Sequence, residues 1–149
     1  MAVVVITGSS SGFGFEGALA FARNGDTVYA TMRDVSKAAR LLEAAAKEQL
    51  SLRIKALDVS RPETFAAFVS EVVAEAGRID VLVNNAGMVS PGSLEDVTAP
   101  ALREVMEVNF FAPMLLTKAV LPTLRAQGSG WIIMMSSLSG IAGLPGEIP

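Results

Sequence analysis

The chain has 149 residues, 51% of them hydrophobic and 18% charged, with a formal net charge of −3. This length suits one domain with a sizeable core, while the acidic balance argues against nucleic acid as a partner and the lack of polybasic runs against a membrane surface. With no cysteine and no histidine, there is no basis for a disulfide framework, thiolate chemistry or a transition-metal site, and no metal ligand is assigned.

Met1 leads directly into Val3-Val4-Val5-Ile6 without a charged n-region, so no secretory signal is read and the cytoplasm is the expected location. The run itself is of the kind buried on both faces of a parallel sheet. Thr7-Gly8-Ser9-Ser10-Ser11-Gly12-Phe13-Gly14 follows it. A strand that ends in glycines and opens a helix aims backbone N–H groups and a positive dipole end at one spot, which suits a pyrophosphate. Gly8 turns the chain off the strand, Gly12 admits phosphate close to the backbone, and Gly14 lets the next helix pack on the sheet. A dinucleotide is therefore the expected ligand, with an ordinary strand-to-helix turn as the reading that the loop alone leaves open.

Phe15 to Arg23 reads as a helix stopped by Asn24-Gly25, and Thr27 to Thr31 as a second strand. Lys37 to Gln49 is a helix with Ala38, Leu41, Leu42 and Ala45 on one face, and Arg53 to Leu57 is a third strand. Ser60-Arg61-Pro62-Glu63 has the form of a capping box ahead of Phe65, Phe68, Val69, Val72, Val73 and Ala76 at helical spacing, and Gly77 ends that helix. Asp80 to Val83 is a fourth strand, leading into Asn84-Asn85-Ala86-Gly87. One long helix is expected from near Thr98 toward Arg125, then a fifth strand over Trp131 to Met135.

Strands alternating with helices predict an α/β doubly wound parallel sheet of Rossmann type. Such sheets bind ligands outside the carboxyl ends of their strands. The polar and glycine-rich residues fall there: Gly8 to Gly14, Arg33-Asp34, Asp58, Asn84 to Gly87 and Ser136-Ser137 each follow a strand.

Four motifs in this order resemble the short-chain dehydrogenase/reductase family over the whole chain: T-G-x-x-x-G-x-G at Thr7 to Gly14, N-N-A-G at Asn84 to Gly87, Asn109 within Val108-Asn109-Phe110, and Ser137 within Met135-Ser136-Ser137-Leu138. Tyr29 to Asp34 is also locally similar to the hydroxysteroid and retinol dehydrogenase branch. The resemblance implies cofactor binding by Gly8, Ser10, Ser11, Gly12, Phe13, Gly14, Arg33, Asp58, Val59, Asn85, Ala86 and Gly87. It makes Ser137 the group that hydrogen-bonds the substrate oxygen, and Asn109 the residue whose main chain holds a water of the proton relay. Pro113 supports the latter role, because it lacks the N–H that the Asn109 carbonyl would otherwise accept from in a helix.

At the end of the second strand, Met32 stands where an acid would accept hydrogen bonds from the adenosine ribose, and Arg33 follows it. A guanidinium binds phosphate by two parallel hydrogen bonds, and Ser11 adds a hydroxyl, so NADP(H) is favoured over NAD(H). The alternative is a solvated Arg33 paired with Asp34. Asp58 is expected at the adenine amino group, or capping the turn before Ser60, or both.

One family feature is absent. The acid/base tyrosine and its lysine, Y-x-x-x-K, are expected one or two positions beyond Pro149, and the chain's only tyrosine, Tyr29, lies in a strand. The chain thus reads as the N-terminal, cofactor-binding portion of a longer single-domain oxidoreductase, lacking the family's C-terminal strands and exposing apolar faces of the fifth strand and the long helix. Its expected partners are a carbonyl or secondary-alcohol substrate, apolar and steroid- or retinoid-like, and further copies of itself as a homodimer or homotetramer. Met88 to Leu94 and Ser139 to Leu144 are expected to line the substrate pocket. A non-catalytic dinucleotide-binding module or sensor is the alternative of another class.

Overall fold

The computed structural model describes residues 1–142 and the backbone of a short strand at Glu147–Ile148. In chain order the elements are β1 (Val3–Ile6), α1 (Gly12–Arg23), β2 (Thr27–Met32), α2 (Ala39–Lys47), β3 (Leu52–Ala56), α3 (Phe65–Ala76), β4 (Val81–Asn84), β5 (Ser90–Pro91), α4 (Ala99–Met106), α5 (Ala112–Gln127), β6 (Trp131–Met134) and β7 (Glu147–Ile148). Five strands pair in parallel in the order β3-β2-β1-β4-β6, while β5 and β7 form a separate antiparallel ladder. This is the doubly wound α/β sheet that the alternation of strand and helix signals predicts. Connections run outward in both directions from β1 and β4, which makes the gap above those two strands the switch point.

Successive residues of a strand face opposite sides of the sheet. Val3, Val5, Tyr29 and Leu82 accordingly pack beneath α3 and α5 with Phe65, Phe68, Val72, Leu116 and Val120. Val4, Ile6, Val28, Val81 and Val83 pack under α1 and α2 with Phe15, Ala18, Leu19 and Leu41. β6 pairs on one side only, and its outer faces carry Trp131 at 74% exposure and Met134 at 46%. Phe110, Phe111 and Met114 are likewise exposed. Among the described residues the stretch Ala99–Gln127 is long and apolar enough to cross a membrane. Its buried stripe, Ala112, Leu116, Val120 and Leu124, is used in packing against α3 and the sheet.

Four local expectations are corrected. α1 begins at Gly12 rather than Phe15, so the second half of the glycine loop is already the helix's first turn. Ser60 forms no capping box: Asp58 Oδ1 accepts from both its N–H, at 3.0 Å, and its hydroxyl, at 2.7 Å, and a 3₁₀ turn at Pro62–Thr64 precedes α3. Leu42 lies beside the buried stripe of Leu41 and Ala45 and is 45% exposed, since the part of α2 in contact with the core is narrower than the apolar face. The single long helix is two, α4 and α5, joined by a π-helical turn at Glu107–Phe111.

Asp80 ties the amino-terminal ends of the central strands together. Its carboxylate accepts from Val3 N–H at 2.8 Å and from Arg78 Nε at 2.8 Å, its N–H donates to Val3 O at 2.8 Å, and its carbonyl accepts from Trp131 N–H at 2.8 Å. Burial works to raise its pKa, but the Val3 N–H and the Arg78 guanidinium outweigh it and hold the carboxyl below its ordinary 3.8. Replacing Asp80 with Ala leaves the Val3 N–H without this partner, at an expected cost of about 2–3 kcal/mol. A carboxylate with a depressed pKa stabilises the fold above its unfolded-state value and ceases to as pH falls through the lowered one. Urea midpoints of wild type and Asp80→Ala should therefore differ fully at neutral pH and converge well below pH 3.8.

Candidate functional site

The site is built where β1, β2 and β4 end. Thr7 leaves β1 with its hydroxyl donating to Val83 O at 3.4 Å and accepting from the N–H groups of Asn85 and Ala86, each at 3.0 Å. Asn85 closes the clasp from the other side, its side-chain amide donating to Thr7 O at 2.9 Å and Gly8 O at 3.1 Å. Ser9 N–H donates to Thr31 O at 2.9 Å, while the hydroxyls of Ser9 and Thr31 both donate to Ile6 O, so the glycine loop is also fastened to β2. Sequence reasoning gave Thr7 no role of its own. The signal was there: a β-branched hydroxyl placed where the strand's ladder runs out can satisfy backbone groups that no strand serves.

Two glycines show why the loop excludes side chains. Gly8 has φ +69°, and a Cβ on it would lie 2.8 Å from Ala86 Cα. A Cβ on Gly14 would meet Asn85 Nδ2 and Gly8 O at 2.4 Å each. Gly14 thus packs against the two loops rather than against the body of the sheet, which corrects the steric role expected for it.

Beside this interlock lies a cleft of about 390 Å³. It brings together Gly8, Ser10, Ser11, Arg33, Asp58, Val59, Asn85, Ala86 and Gly87, nine of the predicted cofactor residues, with Met32, which stands at the expected acidic position, and Met88, which was expected in the substrate pocket. Gly12 and Phe13 line an adjoining hollow next to Ser11, and Gly14 is buried. Ser11 is the N-cap of α1 and makes no side-chain cap hydrogen bond, so its hydroxyl is free to serve a ligand. Asp58 keeps its second carboxylate oxygen free while the first holds Ser60.

Arg33 is not paired with Asp34. The Asp34 carboxylate instead accepts from Ser36 N–H at 3.0 Å and Ser36 hydroxyl at 2.7 Å, and these bonds, helped by the Lys37 and Arg33 charges, hold its pKa below the ordinary value. Among the described residues the Arg33 guanidinium has no ion pair, and it lines the cleft with Ser11 and Met32.

A second cleft, of about 490 Å³, shares Asn85 to Met88 with the first and adds Phe13, Val89, Asn109, Met135 and Ser137. Both predicted catalytic residues face it. Ser137 Oγ accepts from Ser139 N–H at 3.2 Å, which leaves its own proton free to donate. Asn109 lies in the π-helical turn, and its side chain pairs with the backbone of Met88, accepting from its N–H at 2.9 Å and donating to its O at 2.7 Å. The side chain is thereby occupied. Pro113 has no N–H for the Asn109 carbonyl, and the helix widens just ahead of it, Ala112 N–H reaching Glu107 O. Of the expected pocket wall, Met88, Val89, Ser139 and Gly140 line the cleft, whereas 143–144 lie outside the described residues. Tyr29 lines neither cleft. It is buried in β2, its hydroxyl accepting from Arg53 and donating to Glu75, and burial, against the pull of Arg53, keeps its pKa above the ordinary 10.0.

A family model described as short chain dehydrogenase matches residues 2–149. The chain belongs to the short-chain dehydrogenase family. An uncharacterized oxidoreductase of Bacillus subtilis, YusZ, is 42% identical over 99% of this chain and 52% of its own length. Human retinol dehydrogenase 8 is 42% identical over 95% of the chain and 46% of its own length. A metagenomic short-chain oxidoreductase solved in complex with NADP superposes with a TM-score of 0.87 at 36% identity, covering 93% of this chain and 63% of that one. The chain spans about half the length of the curated relatives it matches. Oxidoreductases and dehydrogenases stand among its relatives, and the metagenomic neighbour holds NADP.

In this short-chain dehydrogenase the loop interlock and the cleft form one unit. Gly14→Ala should displace Asn85 and the Gly8 carbonyl, lower the thermal midpoint and weaken NADPH binding at least tenfold, read by quenching or enhancement of nicotinamide fluorescence. Unchanged affinity in a folded variant would show that the interlock does not shape the cleft.

Proposed function

We propose that the whole protein interconverts a carbonyl and a secondary alcohol with NADP(H), and that this chain is its cofactor-binding portion. The observation that carries the choice of cofactor is the Arg33 guanidinium, free of any ion pair, beside the free Ser11 hydroxyl at the end of β2. The positive φ of Gly8 and Gly12 and the empty space beside Gly12 suit a cradle for phosphate oxygens, with the first-turn N–H groups of α1 at hand. When bound, the nicotinamide supplies or accepts hydride. The chain's residues then have separable tasks: Arg33 and Ser11 hold the 2′-phosphate, Asp58 with Val59 the adenine, and Ala86 with Gly87 the ribose. Asn85 fixes the loops that carry them.

At the second cleft, Ser137 donates its free proton to the substrate oxygen as negative charge grows there. Asn109, its side chain locked to Met88, presents its main-chain carbonyl for a relay water. The proton itself is assigned to a tyrosine of the Y-x-x-x-K motif beyond Pro149, since the buried and hydrogen-bonded Tyr29 is unsuited to deliver it. An apolar alcohol or ketone is the proposed substrate. Its support is the likeness to retinol dehydrogenase 8 and the apolar Phe13, Val89 and Met135 around the cleft. A homodimer or homotetramer in the cytoplasm completes the proposal.

Arg33→Ala should weaken NADPH roughly ten- to hundredfold, as for the loss of a charge-assisted phosphate contact, and leave NADH nearly unchanged. Equal losses for the two cofactors would remove the argument for phosphate recognition. In the whole protein, Ser137→Ala should retain NADPH affinity and lower kcat by about two to three orders of magnitude. NADPH binding without turnover of any carbonyl in the unmodified whole protein would instead favour the sensor alternative.

A further inference from the structure

Ser11 belongs to two hollows at once. One holds Arg33; the other is lined by Gly12, Phe13, Phe15, Glu16 and Arg40. The Arg40 guanidinium lies 5.2 Å from the centroid of the Phe15 ring, and Phe15 is itself buried at 7% exposure. Among the described residues Arg40 has no hydrogen bond and no ion pair. Glu16, the one acid lining that hollow, lends its field to Arg23 two turns further along α1.

A guanidinium held by its face on a buried ring has fixed position and loses little further freedom on binding, while its N–H edges stay open to a planar or tetrahedral anion. Placement follows from the local fold. The 3₁₀ turn Val35–Ala38 carries the chain from Arg33 at the end of β2 into α2, and Arg40 on the first turn of α2 faces back onto α1. Two unpaired guanidinium groups therefore border the same free hydroxyl.

We propose that Arg40 is a second specificity-determining cation for the adenosine 2′-phosphate, closing on it from the α2 side opposite Arg33. This rests on the NADP(H) reading given above. Arg33 comes from a strand end and Arg40 from a helix stacked on Phe15, so the phosphate is clamped between elements that are anchored independently. Arg40 also offsets the Glu16 carboxylate, which would otherwise repel that phosphate.

The test uses the whole protein and two probes that differ only by the 2′-phosphate, adenosine 2′,5′-bisphosphate and 5′-AMP, titrated by calorimetry. Wild type should prefer the bisphosphate strongly. Arg40→Gln should narrow that preference about tenfold through the bisphosphate alone, and Arg40→Lys should restore only part of it, since charge is kept while the stack and the forked N–H edge are lost. Equal loss for both probes in Arg40→Gln, or no change in either, would overturn the proposal and leave Arg40 a packing residue on Phe15. If wild type shows no preference at all, the NADP(H) reading fails first and takes this inference with it. If wild type prefers the bisphosphate, Arg33→Ala abolishes that preference and Arg40→Gln does not narrow it, only Arg40 is displaced.

Discussion

Thr7 Oγ1 holds the site together: it accepts from two consecutive backbone N–H groups of the loop after β4 while donating to the strand that precedes that loop. A chain leaving a parallel strand runs out of ladder partners, and unpaired backbone groups at a protein interior cost more than any single contact here contributes. By satisfying them with one hydroxyl and one side-chain amide, Asn85, the fold lets two loops meet without filling the space above them. Among the described residues no buried side-chain polar atom is left without a partner. The open volume is thus a consequence of where side chains are missing, at Gly8 and Gly14, and of where their absence is structurally enforced.

The same economy sets the electrostatics. The protein is acidic as a whole, and Asp58 and Glu104 line the cleft, yet among the described residues no carboxylate is ion-paired with Arg33. Part of that depends on acids being held by other donors. Asp34 and Asp58, the carboxylates closest in sequence to the strand ends, each accept from the N–H and hydroxyl of a serine two residues on, in an Asx turn. Glu48, Glu71 and Glu75 are paired with Arg23 and Lys55 on surfaces remote from the cleft lining. Acids held by serine donors are kept from closing on the guanidinium, which leaves its charge for an anion.

The sheet and the rim of the site were legible in the sequence because both rest on local rules. Apolar runs of β-branched residues mark strands buried on two faces, and glycines are confined to positions where steric exclusion operates over a few residues. What was not legible depended on competition between partners of similar worth. Ser60 can cap α3 or hydrogen-bond Asp58, and nothing in its spacing says that Asp58, held at the end of β3, wins. Leu42 reads as core by spacing, but how wide a stripe of α2 is covered depends on how the helix sits on its neighbours, and Leu41 and Ala45 take the buried line. Gly14 was assigned to the helix–sheet contact, whereas its actual neighbours, Asn85 and Gly8, are set by the pairing of β1 with β4, a contact between distant segments. Arg40 gave no signal at all, since its meaning lies in the ring beneath it.

Pro113 illustrates how a breach of helical rules becomes a positional device. In a plain α-helix its ring and missing N–H would leave the Asn109 carbonyl unserved and bend the axis at an arbitrary angle. Here the helix takes up one extra residue per turn over Glu107–Phe111, so the defect is absorbed as a π-helical turn and α5 resumes with proline in its first turn, where no N–H is required of it. The widened turn also needs an anchor, and Asn109 provides it by matching the donor and acceptor of Met88. Met88 belongs to the loop that Thr7 and Asn85 clasp. The proline defect, the second cleft and the glycine loop are therefore joined through a short series of hydrogen bonds that runs from Asn109 through the Met88 backbone and the Asn85 loop to Thr7.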